Sequence, residues 1–171
     1  MAYSPAELRQ YHETNLENGR VEWIDIPEFE LPRIPYYLND FEGQDCDWLV
    51  MVSASDDPAE GTPPLIQVSS RIPEALRPYA ALHEYIEFDI AQLEGVTDPN
   101  TNKPWTCAAI EDLVLSLVPD EERETYIKGR IWMFNALQKM DVLNQEMAAT
   151  RQMLSEVLRE EYPLPVVNTG E

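Results

Sequence analysis

Hydrophobic and polar residues follow three patterns in the N-terminal half of the chain that predict β-strands. Residues 21–26 alternate apolar and polar side chains, as in a strand with one buried face. Residues 48–54 are almost all apolar, and residues 65–69 form a shorter apolar-rich run, so both are typical of buried strands. Prolines recur in the segment 27–35, which we therefore expect to hold only short edge pieces of strand.

Three further segments predict helices through their end signals. A capping box with proline at the first helical position predicts a surface helix over residues 4–19. Pro78 can begin a second helix, over residues 78–94, because proline is well tolerated in a first turn. Thr106 is the expected N-cap of a third helix, which ends at Leu117 just ahead of a proline.

The C-terminal part is helical by composition. Residues 120–162 contain no proline and a single glycine, so they predict either one long helix or two helices that meet near Asp141. Mostly apolar residues recur there at steps of three and four, which is typical of a packing seam. They are Met140, Leu143, Met147, Thr150, Leu154 and Val157. We expect this seam to pack within a monomer, with helix-mediated dimerisation as the alternative.

Together these patterns predict an α+β fold, with a small mixed sheet covered by helices and a long helical C-terminal part. A chain of 171 residues is long enough for one domain with its own core. We expect that domain to span residues 1–162, with residues 120–162 as its helical part. Residues 163–171 are expected to form an extended tail.

The charge of the chain limits its partners. Asp and Glu occupy 32 positions against 12 for Lys and Arg, which gives a formal net charge of −20. Such a chain repels phosphate backbones and anionic membrane surfaces, so we expect no nucleic acid and no membrane as partner. A basic protein or peptide, or a metal cation, is the expected alternative. The first residues lack the apolar segment of a secretory signal, so we expect a cytoplasmic location.

The most informative chemistry lies in the predicted helix that begins at Pro78. On a helix, His83 and Glu87 lie one turn apart on one face, close enough to share a cation. Imidazole and carboxylate groups both bind Zn²⁺, and Glu84 beside them could take a proton from metal-bound water. A third ligand would come from the next helix, where Glu111 and Asp112 are the candidates. A purely structural pair between His83 and Glu87 is the alternative.

The order of these segments resembles that of zincin-like metallopeptidases, especially the ImmA/IrrE-like group. Proteins of this family place a strand before a Leu-Pro turn with arginine, then a helix with His-Glu-x-x-His, then a second helix with an acidic ligand. Here the strand at 65–69 is followed by Ile72-Pro73 and Arg77, and then by His-Glu-x-x-Glu. The resemblance covers residues 65–119.

This resemblance implies a role for each matching residue. His83 would be the first metal ligand, Glu84 the general base, and Glu87 the replacement for the second histidine. Glu111 would be the third ligand. The implied cofactor is zinc or another divalent metal, since a carboxylate in place of histidine favours harder ions.

Two functions are therefore predicted, from different classes. The first is a metal-dependent hydrolase of the zincin type, or a degenerate metal-binding descendant of one. The second is a non-enzymatic acidic protein that binds a basic partner as an inhibitor, immunity protein or regulator.

Cys107 lies at the start of a predicted helix, where a thiolate is favoured, although a small buried side chain is its expected role.

Overall fold

The computed structural model of the chain describes residues 21–24, 34–53, 65–87, 98 and 101–165, and its elements confirm the α+β class. The strands within this part are β1 (Val21–Ile24), β2 (Ile34–Asn39), β3 (Val50–Ser53) and β4 (Leu65–Ser69). The helices are α1 (Arg77–Glu84), α2 (Cys107–Leu117), α3 (Asp120–Lys139) and α4 (Gln145–Glu161). The predicted helix over residues 4–19 lies outside the described residues, as does the tail beyond residue 165.

The described strands form one mixed sheet with the order β1-β2-β4-β3. β1 is antiparallel to β2 and β3 is antiparallel to β4, whereas β2 and β4 run parallel. Helix α1 follows β4 after a short 3₁₀ turn and packs back against β4, with α2 on its other side. The sheet therefore places the end of α1 between β3 and the helical half of the chain.

Strand β2 is longer and more central than the prolines of its segment predict. It has six residues and lies between β1 and β4, not at an edge. Pro35 stands opposite Trp23 of β1. The ladder between β2 and β4 includes only residues 37–39 of β2. The missing N–H of Pro35 therefore lies outside the ladder with β4, which is why the strand tolerates it.

The buried residue Trp48 precedes β3 instead of belonging to it, so the predicted strand over residues 48–54 begins two residues too early. Its ring meets the ring of Tyr126 on α3 edge to face, with centroids 6.0 Å apart. Gly129, one turn further along α3, lies directly over the same indole. A Cβ atom there would stand 2.0 Å from Cε2 of Trp48, so glycine permits α3 to approach this closely.

Helices α1 and α2 begin close to where the sequence places them. Helix α1 starts one residue before Pro78 and continues into a π-helical turn at residues 85–87. Helix α2 has the predicted bounds, and its N-cap Thr106 accepts a hydrogen bond from the backbone N–H of Ala109 at 3.1 Å. The end of the helix predicted near residue 94 lies outside the described residues.

The C-terminal part consists of two helices, so the second alternative of the sequence is confirmed. The chain turns at Asp141, whose φ is +60°, and Asn144 caps α4 by accepting a hydrogen bond from Met147 N–H. Helix α4 packs against α3 and α2 of the same chain, with Thr150 and Leu154 of the predicted seam fully buried. None of the helices in the described part is long and apolar enough to cross a membrane.

Candidate metal centre around His83

His83 lies near the end of α1 and is almost completely buried, with 2% of its surface exposed. Because α1 packs against α2, its imidazole meets the first two turns of that helix. Cys107 and Glu111 are four residues apart on α2 and therefore share the face that meets His83. The two nitrogens of the ring consequently face different groups.

The Nδ1 atom of His83 is held by Glu111. It lies 2.6 Å from Oε2 of Glu111, an ion-pair distance, although the N–H direction is not that of a linear hydrogen bond. The Glu111 carboxylate in turn accepts hydrogen bonds from Nε and Nη2 of Arg130, both at 3.1 Å, and from the Tyr126 hydroxyl at 2.9 Å. Glu111 and Arg130 are fully buried, and these three hydrogen bonds fix the position of the carboxylate.

This network determines the charge of its members. Burial alone would raise the pKa of Glu111, but the positive charges of Arg130 and His83 lower it to about 2. Burial of His83 lowers its pKa, but the negative charge of Glu111 and the hydrogen bonds with Cys107, Glu111 and Glu87 together leave that pKa well above its usual value. For Tyr126, burial and the nearby Glu111 charge both raise the pKa. The network therefore stabilises the protonated form of His83 beside the ionised form of Glu111.

The Nε2 atom of His83 faces two potential partners. Oε2 of Glu87 lies 3.5 Å away, and Sγ of Cys107 lies 3.6 Å away. Among the described residues, His83, Glu84 and Glu87 form the group that could hold a metal ion, since one ligand atom of each lies within 4.8 Å of the others. The i, i+4 spacing predicted from the sequence brings His83 and Glu87 together as expected.

Glu84 is half-buried, and its side chain lines a cavity. Burial raises the pKa of this carboxyl group, and the charges of Glu87 and Glu111 raise it further, against the lowering effect of His83 and Arg130. A carboxylate with a raised pKa is a better proton acceptor near neutral pH. Its environment is therefore compatible with the base role that the sequence predicts.

The cavity beside these groups has a volume of about 190 Å³. Its polar lining consists of His83, Glu84, Glu87, Cys107 and Arg130. The rest of its lining is apolar and includes Val52, Met133, Phe134, Leu137 and Met147. The site thus combines a few polar groups with an apolar wall, which is common in small-molecule sites.

The structure assigns the predicted residues to different surroundings. His83, Glu84 and Glu87 meet at the cavity, whereas Glu111 lies on the Nδ1 side and is engaged by Arg130. Asp112 is exposed and points away from the imidazole. For Glu111, this geometry favours a positioning role over the metal-ligand role predicted from the sequence.

Sequence reasoning missed three residues of the site. Arg130 and Tyr126 come from α3, and their contact with Glu111 depends on how α3 packs against α2. Cys107 was expected to be a small buried side chain, with a thiolate at the helix N-terminus as the alternative, and its contact with His83 was not foreseen. One signal was present in the sequence, since a carboxylate placed on the buried face of a helix needs a counter-ion from a neighbouring element.

Comparisons with protein-family models, with curated proteins and with solved structures found no match to this chain. The functional interpretation therefore depends on the chemistry and geometry of the residues around His83.

Proposed function

We propose that the chain binds a divalent metal ion, zinc foremost, through Nε2 of His83 and the carboxylates at the cavity. The observation that carries this proposal is the grouping of one ligand atom each from His83, Glu84 and Glu87 within 4.8 Å. Ligand atoms that lie about 2.0–2.2 Å from one Zn²⁺ are separated by roughly 3.3–3.6 Å in a tetrahedral site. The distance of 3.5 Å between Nε2 and Oε2 of Glu87 falls in that range.

The opposite side of the imidazole supports the same proposal. Metal-binding histidines commonly donate their second ring N–H to a carboxylate, which fixes the orientation of the ring. Oε2 of Glu111 stands 2.6 Å from Nδ1, and Arg130 holds both oxygens of that carboxylate. In this proposal Glu111 positions the ligand His83 and does not itself bind the ion.

We further propose metal-assisted hydrolysis as the reaction class, in line with the resemblance to zincin-like peptidases. A bound metal would supply Lewis acidity and an activated water. Glu84 would accept the proton of that water, for which its raised pKa is suited. The apolar wall of the cavity would hold the uncharged part of a substrate.

Zinc content and zinc affinity test this proposal directly. Protein purified without chelator is expected to carry near-stoichiometric metal, and His83→Gln is expected to lose it. Glu87→Gln should weaken zinc binding by more than about tenfold in calorimetric titration, since it removes a ligand. Glu160→Gln, an identical change at an exposed position of α4, should match the wild type. Absence of zinc binding by the wild type would refute the proposal.

The variant Glu84→Gln separates the two roles open to Glu84. If Glu84 accepts a proton, Glu84→Gln will retain zinc and lose any hydrolysis of peptide or ester substrates. If Glu84 is a ligand, the same variant will lose zinc as well. The alternative of an acidic interaction protein depends on the net charge of −20, which belongs to the whole chain and selects no particular surface.

A further inference from the structure

We propose that Cys107 is a nucleophilic thiol, activated by His83 and Glu111, that in the metal-free protein takes the acyl group of a small apolar ester or thioester. This function goes beyond the metal site, because it assigns the same imidazole to a different partner. Nε2 of His83 can serve either a metal ion or the sulfur, but not both at once. The metal content of the protein would therefore select between the two uses.

The three side chains stand in the order that nucleophilic catalysis requires. Sγ of Cys107 lies 3.6 Å from Nε2 of His83, and Nδ1 of the same ring lies 2.6 Å from Oε2 of Glu111. A nucleophile, a base and an orienting acid linked in this way are recognised by their geometry, whatever the order of the residues in the chain. Both cysteines of the chain are free, so the sulfur is available for this role.

Helix α2 provides both ends of this arrangement. Cys107 is its first residue and Glu111 follows one turn later, so a single imidazole on α1 can contact both. The first N–H groups of any helix have no acceptor within the helix, and its N-terminus carries a partial positive charge. The N–H of Ala109 already donates to the Thr106 side chain, and the partial positive charge of this helix end favours negative charge on the sulfur of Cys107.

The acid of the triad is held more firmly than a surface carboxylate. Arg130 binds both oxygens of Glu111 and Tyr126 binds one of them, which leaves Oε2 beside His83. Glu111 therefore orients the imidazole so that Nε2 points toward the sulfur. A catalytic histidine needs an acid that orients its imidazole, whereas a cysteine that is buried only for packing needs no oriented histidine beside it.

The cavity indicates the class of substrate. Cys107 lines it together with apolar residues such as Phe134, Leu137 and Met147. A volume of about 190 Å³ suits a short acyl chain better than a peptide. An acyl group in this cavity would place its carbonyl carbon near the sulfur and its hydrocarbon part against the apolar wall.

The reaction balances without any additional reactant except water. The thiol proton first passes to Nε2 of His83, whose protonated form the Glu111 carboxylate stabilises. Sγ of Cys107 then bonds to the acyl carbon, and the bond from that carbon to the leaving group breaks. The imidazolium gives its proton to the departing alcohol or thiol. Water then attacks the acylated cysteine through the same histidine, which releases a carboxylic acid and restores the thiol.

The test uses p-nitrophenyl butyrate with full-length protein kept in excess chelator. We expect a burst of p-nitrophenol and one butyryl group on Cys107 by intact-mass and peptide analysis. Cys107→Ser is expected to abolish both signals. His83→Gln should slow acylation by roughly 100-fold or more, because a general base contributes at least that much. Cys46→Ser, which removes a second buried free thiol, should leave the burst unchanged.

The wild-type measurement alone can overturn the proposal. If Cys107 is not acylated, or reacts no faster than Cys46 in the same sample, the thiol is not activated. Added zinc separates this inference from the proposed metal function. If zinc binds at His83, it will suppress the burst. If the chain binds no zinc, the burst will remain and only the proposed metal function will be refuted.

Discussion

Glu111 and His83 are 28 residues apart in sequence, yet Oε2 of the first lies 2.6 Å from Nδ1 of the second in the interior of the protein. This contact fixes which ring nitrogen faces the cavity. It therefore determines the chemistry available at Nε2, whether the partner there is a metal ion or the sulfur of Cys107.

Glu111→Gln is expected to weaken zinc binding without removing a metal ligand. The amide keeps the shape of the side chain but loses the charge that orients His83, and losses of about 10- to 100-fold are typical for such positioning groups. Calorimetric zinc titration measures the effect, and Asp112→Asn serves as the control because Asp112 is exposed on the same helix. Complete loss of binding would instead identify Glu111 as a ligand.

Arg130→Met should be among the most destabilising single changes in this chain. It leaves the Glu111 carboxylate buried beside His83 with its main counter-ion removed, and breaking a buried ion pair costs about 3–5 kcal/mol. Urea unfolding measures the loss. Lys128→Met on the same helix breaks an exposed pair with Glu124, so it should cost below about 1 kcal/mol. Similar losses in the two variants would contradict the structure.

The stabilising effect of Glu111 should disappear in acid. Its pKa falls from 4.5 to about 2 on folding, so the unfolded chain takes up the proton first as the pH is lowered. The contribution is therefore complete above about pH 5 and is lost as the pH falls from 4.5 toward 2. We expect the difference in unfolding free energy between wild type and Glu111→Gln to shrink over this interval in denaturant titrations. A pH-independent difference would show that the charge of Glu111 is not stabilising.

Gly129→Ala should destabilise the protein, although the same change in an ordinary helix stabilises it by about 1 kcal/mol. The added Cβ would stand 2.0 Å from the Trp48 ring, so α3 or the indole must move, and overpacking of this kind costs about 1–3 kcal/mol. Unfolding midpoints measure the change. In a Trp48→Leu background the penalty should diminish, and an unchanged penalty would place its cause elsewhere.

The local parts of the site could be predicted from the sequence. Thr106 and the proline after α2 set the bounds of that helix through the capping and steric rules of single residues. His83 and Glu87 are neighbours because any helix brings residues four apart together. These predictions required no knowledge of tertiary packing.

The remaining parts depend on how elements meet, and the sequence left them open. It named Glu111 with Asp112 as a second candidate, and only the packing of α1 on α2 distinguishes the buried residue from the exposed one. Arg130 could not be matched to Glu111, because that pairing requires the approach of α3 that Gly129 permits. Strand β2 was underestimated for a related reason, since the effect of Pro35 depends on which neighbour its N–H would face.

The buried pair of Arg130 and Glu111 has a further consequence for molecules that approach from solvent. Because the two charges cancel inside the protein, the remaining residues still carry the whole formal charge of −20. The resulting negative potential concentrates cations around the protein and repels anions, most strongly at low ionic strength. Divalent cations are therefore drawn toward the protein and neutral esters are unaffected by this potential, whereas anionic competitors such as phosphate are kept at a distance.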